Sequence, residues 1–242
     1  MKITAISDIH GDLIPIEQTD LLIIAGDWSP LEIQQNIFYM REWMKNTFVP
    51  YLASIRADKI ILIAGNHDFI CDDKLTNYGY LYPFFSLSFS KDFLHPLLRK
   101  HNLVKKVSYL CNSSVTYKGL KIFGCPYVEG LKGWAFSNTD KKNHYKQIRK
   151  CDILVTHQPP IFNKIGQTIL HNMLHEFGSY SLLEVIQKKK PKLVFCGHVH
   201  GGDHNKQTMI HPDSTYTLLY NCAIKNEEYN VYYKPQIVIL EE

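Results

Sequence analysis

The stretch Ile60-Ile61-Leu62-Ile63-Ala64-Gly65-Asn66-His67-Asp68 joins a run of apolar residues directly to a polar cluster. A continuous, β-branched apolar run of this length is typical of a strand that is buried on both faces of a sheet. The residues that follow supply an amide, an imidazole and a carboxylate, which can bind a metal ion or accept and donate hydrogen bonds. The stretch therefore predicts a buried strand that ends at a candidate site.

Four further apolar runs repeat this arrangement. Ile3–Ile6 precedes Asp8 and His10, Leu21–Ala25 precedes Gly26 and Asp27, Ile153–Val155 precedes Thr156 and His157, and Leu193–Cys196 precedes Gly197, His198 and His200. Open α/β sheets bind ligands at the carboxyl ends of their strands. The five polar clusters are therefore predicted to meet in one place.

Helical patterns lie between these runs. The candidate helices are Leu31–Ala57 (divided near Pro50), Phe93–His101, Lys141–Lys150 and Tyr180–Lys190, and further strands are expected within 107–124, 216–221 and 236–241. Alternating strands and helices predict parallel βαβ units. We expect an α/β fold of two packed mixed β-sheets flanked by helices. Because no linker rich in Pro, Gly or Ser divides the sequence, we expect a single domain over residues 1–242.

Charge and cysteine usage narrow the function classes. The formal net charge is +4, from 27 Lys and Arg against 23 Asp and Glu, which is weak for a dedicated nucleic-acid binder. The six cysteines form no CxxC pair, which indicates reduced, buried thiols. No signal core follows Met1 and no apolar run is long enough to cross a bilayer, so we expect a cytoplasmic protein without a membrane partner.

The polar clusters together contain a donor set suited to metal ions. It comprises three carboxylates (Asp8, Asp27, Asp68), five imidazoles (His10, His67, His157, His198, His200) and the amide of Asn66. Carboxylates packed together without cations would repel one another. Mixed oxygen and nitrogen donors, with only Cys196 nearby, favour two divalent Mn, Fe, Zn or Co ions over Ca²⁺ or a thiolate zinc site.

The order of the clusters resembles a known family. Asp8-x-His10, Gly26-Asp27, Gly65–Asp68, Thr156-His157 and Gly197-His198-x-His200 are similar to the five motifs of the calcineurin-like metallophosphoesterases. Thr156–Pro160, Gly178–Leu183 and Lys190–Lys192 add a similarity to its small single-domain phosphohydrolases and brain metallophosphoesterase-domain proteins. The resemblance implies the four-layer α/β/β/α sandwich of that family.

The resemblance also implies a role for each site residue. Asp8, His10 and His200 would bind the first metal, Asn66, His157 and His198 the second, and Asp27 would bridge the two; His67 would protonate the leaving oxygen, with Asp68 orienting its ring. Two cations about 3.5–4 Å apart can share a hydroxide that attacks phosphorus in line. Manganese is the metal expected to support activity in vitro.

Three functions are compatible with such a centre. The favoured one is a phosphodiesterase or broad phosphohydrolase acting on small molecules such as nucleotides. A protein phosphatase or a nuclease could use the same centre, although the presence of only four arginines weakens the nuclease hypothesis. The third is a non-catalytic scaffold, which would have no reason to keep the full ligand set. The natural substrate and the oligomeric state stay open.

Two positions depart from the family pattern. Pro30 stands where many members have Asp or Asn, three residues after the bridging carboxylate, and an altered loop shape or altered support of the site is expected. Gln158 stands where Gly is common, and its amide is predicted either to reach the pocket rim or to face solvent.

Three further features have two interpretations each. His171 and His175 have the spacing of a zinc pair on one helix face, but an exposed helix surface is favoured. The aromatic-rich stretch Tyr78–Phe89 predicts a hydrophobic plug rather than a pocket wall. Trp134 would either cap the pocket or pack against the sheet.

Overall fold

Two mixed β-sheets form the centre of the protein. The structure, a computed structural model, describes residues 1–77, 88–138 and 143–241. The first sheet contains β1 (Lys2–Ile6), β2 (Thr19–Ala25), β3 (Ala57–Ile63), β4 (Val107–Tyr109) and β15 (Gln236–Ile239), in the order β15-β1-β2-β3-β4. Strands β1 to β4 are parallel, and β15 pairs antiparallel with β1 at the edge.

The second sheet has six strands. They are β5 (Ser113–Tyr117), β6 (Leu120–Cys125), β9 (Ile153–Thr156), β12 (Leu193–Cys196), β13 (Gln207–Ile210) and β14 (Tyr216–Asn221), in the order β13-β14-β12-β9-β6-β5. Its four central strands are parallel, whereas β5 and β13 are antiparallel edges. Two small ribbons add β7 (Val128–Glu129) with β8 (Ser137–Asn138), and β10 (Gln167–Leu170) with β11 (Met173–Glu176).

The predicted helical regions are confirmed for the most part. Helix α1 (Ile37–Trp43) continues through a π-helical turn (Met44–Phe48) into α2 (Val49–Ser54), and α3 (Asp73–Asn77), α4 (His95–Lys100) and α5 (Tyr180–Lys189) follow. Pro50 lies in the first turn of α2, where its missing N–H is not needed. The helix predicted over 141–150 is reduced to a 3₁₀ turn at His144–Gln147, which Asn143 caps; residues 141–142 lie outside the described part.

Alternate residues of the central strands pack into two different cores. In β2, Leu21 and Ile23 belong to the core between the two sheets, whereas Leu22 and Ile24 belong to the core under the helices. Phe195 of β12 reaches the inter-sheet core from the opposite side. Burial on both faces explains why these strands read as continuous apolar runs, and it confirms the predicted architecture of packed mixed sheets with flanking helices.

The interpretation of His171 and His175 as residues of one helix is wrong. They belong to the hairpin of β10 and β11, in which His175 pairs with Thr168 and His171 lies in the turn. His171 and Asn172 have φ of 50° and 62°, the backbone of a two-residue hairpin turn. The four-residue spacing therefore comes from the hairpin and not from a helix, so the two histidines do not share a helix face as a zinc pair would.

The aromatic stretch can be followed only in part. Residues 78–87 of the predicted plug lie outside the described residues, whereas Phe89 is buried and packs edge-on against Tyr109. Among the helices in the described ranges, none has the length and apolar character needed to cross a membrane.

Candidate metal centre

The register of the sheets brings the polar clusters together. Ile6 pairs with Ile24 and Ala25 pairs with Ile63, so the residues after β1, β2 and β3 leave the first sheet side by side. Across the sandwich, the backbone N–H of His198 donates to both carboxylate oxygens of Asp8, at 3.1 and 3.0 Å. The structure thus gathers all nine predicted site residues at one edge: Asp8, His10, Asp27, Asn66, His67, Asp68, His157, His198 and His200.

Asp8, His10 and His200 form the first cluster of potential ligands. One donor atom from each lies within 4.8 Å of the others. Nε2 of His200 is 3.3 Å from Oδ1 of Asp8, while Nδ1 is 3.0 Å from the carbonyl oxygen of Asn226. Because a carbonyl can only accept, Nδ1 carries a proton, and Nε2 is the ring nitrogen that faces the carboxylate.

Asp27, His157 and His198 form the second cluster, with donor atoms again within 4.8 Å of one another. Nε2 of His157 lies 3.1 Å from Oδ2 of Asp27 and 3.1 Å from Oδ1 of Asn66. Nδ1 of the same ring donates to the carbonyl oxygen of Ala25 at 2.9 Å. The two clusters have the composition that the resemblance implies for a pair of metals, with Asn66 adjoining the second.

His10 provides a direct test of whether the site fits a cation. The residue is 5% exposed, and within the described ranges neither of its ring nitrogens has a hydrogen-bond partner. An unpaired buried polar group is costly and calls for an explanation. A divalent ion shared with Asp8 and His200 would satisfy one nitrogen, so the residues present fit the group.

The backbone under the site is strained. Asp8, His10, Asp27 and His198 have φ of 54°, 42°, 51° and 68°, a left-handed conformation that non-glycine residues rarely adopt. Each such residue costs on the order of 1–3 kcal/mol, and such residues cluster at functional sites. These four potential ligands follow the ends of three strands: Asp8 and His10 come after β1, Asp27 after β2 and His198 after β12.

The close approach of the Asp8 and Asp27 carboxylates to neighbouring backbone requires two glycines. A Cβ on Gly197 would lie 2.2 Å from Oδ2 of Asp8, and a Cβ on Gly65 would lie 2.3 Å from Oδ1 of Asp27. No other residue type leaves room for these carboxylates. The glycines that precede ligand residues in the sequence therefore serve the packing of the site.

The two carboxylates stay ionised inside the protein. Burial alone would raise the pKa of Asp8, but the hydrogen bond from His200 and the charges of His157 and His200 hold it below its ordinary value. Burial opposes ionisation of Asp27 in the same way, and the charges of His157 and His67 reverse the effect and lower its pKa. Both side chains are therefore available as anionic ligands at neutral pH.

The imidazoles divide into two kinds. Burial lowers the pKa of His10 to about 4, and burial with the charge of His157 lowers that of His198 to about 3, so both rings are neutral near pH 7. Burial would also lower the pKa of His157, but the charge and hydrogen bond of Asp27 outweigh it and raise the value to about 9. Of these three rings, only His157 must lose a proton to bind a metal at pH 7.

The expected role of Asp68 as the residue that orients His67 is wrong. Its carboxylate instead accepts four hydrogen bonds, from the backbone N–H groups of Asp27, Ser29 and Gly65 and from the Ser29 hydroxyl, at 2.6–2.9 Å. Burial and the charge of Asp27 raise the pKa of Asp68 to about 7, against the effect of the bonds from Ser29 and Gly65. Asp68 fixes the loops that carry Asp27 and Asn66.

His67 is held by a residue that the sequence did not single out. Its Nδ1 lies 2.6 Å from Oε1 of Gln34, and its ring centroid is 4.7 Å from that of Trp134. The other ring nitrogen, Nε2, points toward the site, 3.9 Å from Oδ2 of Asp27. Trp134, which is partly buried, thus lies beside His67 at the rim of the site.

The two departures from the family pattern have structural consequences. Pro30 packs against Gly11, where an added Cβ would lie 2.9 Å from the proline ring, so it shapes the loop beside His10. The expectation that Gln158 reaches the pocket rim or solvent is wrong, because the residue is buried. Its amide joins three segments, accepting from Glu129 N and Tyr145 Oη and donating to Phe177 O.

The proton on His157 makes metal affinity depend on pH. A pKa near 9 means that metal binding at pH 7 displaces this proton, so affinity for Mn²⁺ should rise by about tenfold per pH unit from pH 6.5 to 8.5. Titration of metal-free protein in weakly buffered solution should release at least one proton per chain. His157→Asn should lose one of the released protons, whereas His95→Asn, at an exposed position in α4, should not. A flat affinity over this range would contradict the assignment.

Comparisons with known proteins agree with this geometry. The family model described as calcineurin-like phosphoesterase matches residues 1–202. Metallophosphoesterase domain-containing protein 1 of Homo sapiens and that of Mus musculus are each 28% identical over 252 residues, which cover 98% of this chain and 70% of theirs. A solved crystal structure with 14% identity matches 91% of this chain and 89% of its own with a TM-score of 0.62, which shows a shared fold.

The family binds divalent metals, and the two donor clusters are where this chain would hold them. Since the family model extends over all five strand-end motifs, from residue 8 to residue 200, the resemblance seen in the motifs is confirmed: the chain belongs to the calcineurin-like phosphoesterase family.

Proposed function

We propose that residues 1–242 form one domain that acts as a cytoplasmic phosphodiesterase or broad phosphohydrolase on small molecules such as nucleotides. The observation that supports this most directly is the pair of donor clusters around Asp8 and Asp27. His10 contacts the ring of His67, and its own nitrogens have no hydrogen-bond partner among the described residues. Two divalent ions, manganese in vitro, would supply Lewis-acid activation of water and of the phosphoester when bound.

The residues of the chain divide the remaining work. Asp8, His10 and His200 would bind one ion, and Asn66, His157 and His198 the other. Asp27 would bridge the two ions. Its position is fixed because Oδ1 accepts from the backbone N–H of His67 at 2.8 Å. Asp68 holds the loops of Asp27 and Asn66 together by accepting hydrogen bonds from the backbone N–H groups of Asp27 and Gly65.

His67 is proposed as the proton donor to the leaving oxygen. Nδ1 is committed to Gln34, which leaves Nε2 facing the site near Asp27. Burial lowers the pKa of His67, against the opposing charge of Asp27. Gln34 would thus perform the orienting task that the resemblance gave to Asp68.

The test is a substrate panel on protein stripped of metal and reloaded with Mn²⁺. Hydrolysis of a nitrophenyl phosphodiester should return with the metal, and activity on a phosphopeptide or on DNA should be weaker. His67→Ala should keep its metal but lose on the order of 10²-fold or more in kcat on an alkyl phosphoester, whose leaving group needs a proton. His95→Ala serves as the surface control. Absence of turnover with any divalent metal, or faster hydrolysis of phosphopeptide or DNA, would count against the proposal.

The role of Gln34 has its own test. Gln34→Ala should lower kcat on an alkyl ester by about tenfold or more while changing hydrolysis of a nitrophenyl ester little, because nitrophenolate leaves without a proton. Gln34→Glu, which keeps an accepting oxygen, should restore the alkyl activity. The exposed neighbour provides a matched control in Gln35→Ala. An equal loss on both esters would show that Gln34 acts on the metal loops and not on His67.

A further inference from the structure

A short segment beyond the family match closes over the first donor cluster. Lys225 forms an isolated antiparallel bridge with Val231, and within this turn the Asn226 N–H donates to Asn230 O. The turn is tied to the site on two sides: Lys225 pairs with Asp12 at 2.7 Å, and Glu227 accepts from Gly201 N at 2.7 Å. Segment 225–231 is therefore held rigidly beside the ligands.

This segment places Tyr229 against two of the proposed ligands. The Tyr229 ring stands edge-on to His10 and His200, with centroids 5.1 and 5.0 Å away. Its φ of 61° belongs to the tight turn, in which the backbone N–H of Tyr229 donates to Asn226 O at 2.9 Å. The side chain is still 41% exposed, so packing alone does not account for its position.

A cavity opens next to this ring. Its volume is about 440 Å³, within the roughly 300–1,000 Å³ of small-molecule pockets. Tyr229, Trp43, Leu31 and Ile33 form the apolar part of its lining, beside a larger polar part, and His10 forms its border with the donor cluster. A group bound in this cavity could therefore belong to the same molecule as a phosphoester held at the metal centre.

The charge of the lining restricts what can bind. Asp12 and Lys225 line the cavity as an ion pair, and with Glu32 the three charged side chains sum to −1. An anionic group would be repelled, whereas a flat uncharged ring could contact Tyr229 and the apolar part of the lining.

We propose that this cavity binds an uncharged aromatic ring of the phosphoester substrate, with Tyr229 as the residue that contacts the ring. The proposal rests on the proposed function, since the metal centre would anchor the phosphoryl group. It narrows the substrate class to phosphoesters that carry an uncharged aromatic group.

The experiment compares the binding of three probes to the Mn²⁺-loaded protein by calorimetry. Phenylphosphonate should bind about tenfold more tightly than methylphosphonate, the scale of one aromatic contact, and 4-carboxyphenylphosphonate should lose that advantage through its charge. Tyr229→Ala should remove the preference for the ring and leave methylphosphonate affinity and metal content unchanged. Tyr229→Phe should retain the preference, as should Tyr232→Ala, which removes a 70% exposed tyrosine of the same region.

Several outcomes would overturn the proposal. One is equal affinity of the wild-type protein for phenyl- and methylphosphonate, and another is a Tyr229→Ala variant that weakens both probes equally. Binding of neither phosphonate would overturn it as well, together with the metal anchor. If the ring preference is observed but no ester is hydrolysed, the proposed function fails while the aromatic site stands.

Discussion

Two buried carboxylates of like charge are the constraint on which the rest of the structure depends. Asp8 and Asp27 are almost fully buried, and both stay ionised because imidazoles surround them. Buried charges persist only when opposite charge compensates them. His157 and His200 provide part of that compensation, and divalent ions would provide the rest. Within the described part of the chain, the ring nitrogens of His10 have no hydrogen-bond partner, which is where a cation would add one.

The fold meets this constraint by exploiting the ends of parallel strands. β1, β2 and β3 end side by side in one sheet, and β9 and β12 end opposite them in the other, so residues separated by 190 positions, such as Asp8 and His198, are in hydrogen-bond contact. The strand-end loops carry the left-handed residues and the close-packed glycines. The packing of the apolar strands beneath these loops holds the left-handed residues in their conformation.

Sequence reasoning was sufficient for the parts of this arrangement that local patterns encode. An apolar run such as Ile60–Ala64 is buried on both faces whatever its partner, so the strands and the polar clusters at their ends could be predicted. The partner of His67 could not be predicted, because the loop conformations that bring Gln34 to its ring, and Asp68 to the Gly65 N–H, are not encoded in residue spacing. The His171/His175 hairpin was missed for a similar reason, since a tight turn can imitate helical spacing. Tyr229 lies in a turn that the Lys225–Asp12 pair joins to a distant segment, and no local pattern predicts such a contact.

In a shared dinuclear centre, two ions would lie around Asp27. The most direct measurement is elemental analysis of purified protein after chelation and reloading with Mn²⁺, combined with electron paramagnetic resonance of the bound metal. Two manganese ions per chain with an exchange-coupled spectrum, reduced to uncoupled or single occupancy by Asp27→Ala, is the predicted result. A protein that retains no transition metal, or one whose two ions show no coupling in the wild type, would contradict a shared dinuclear centre.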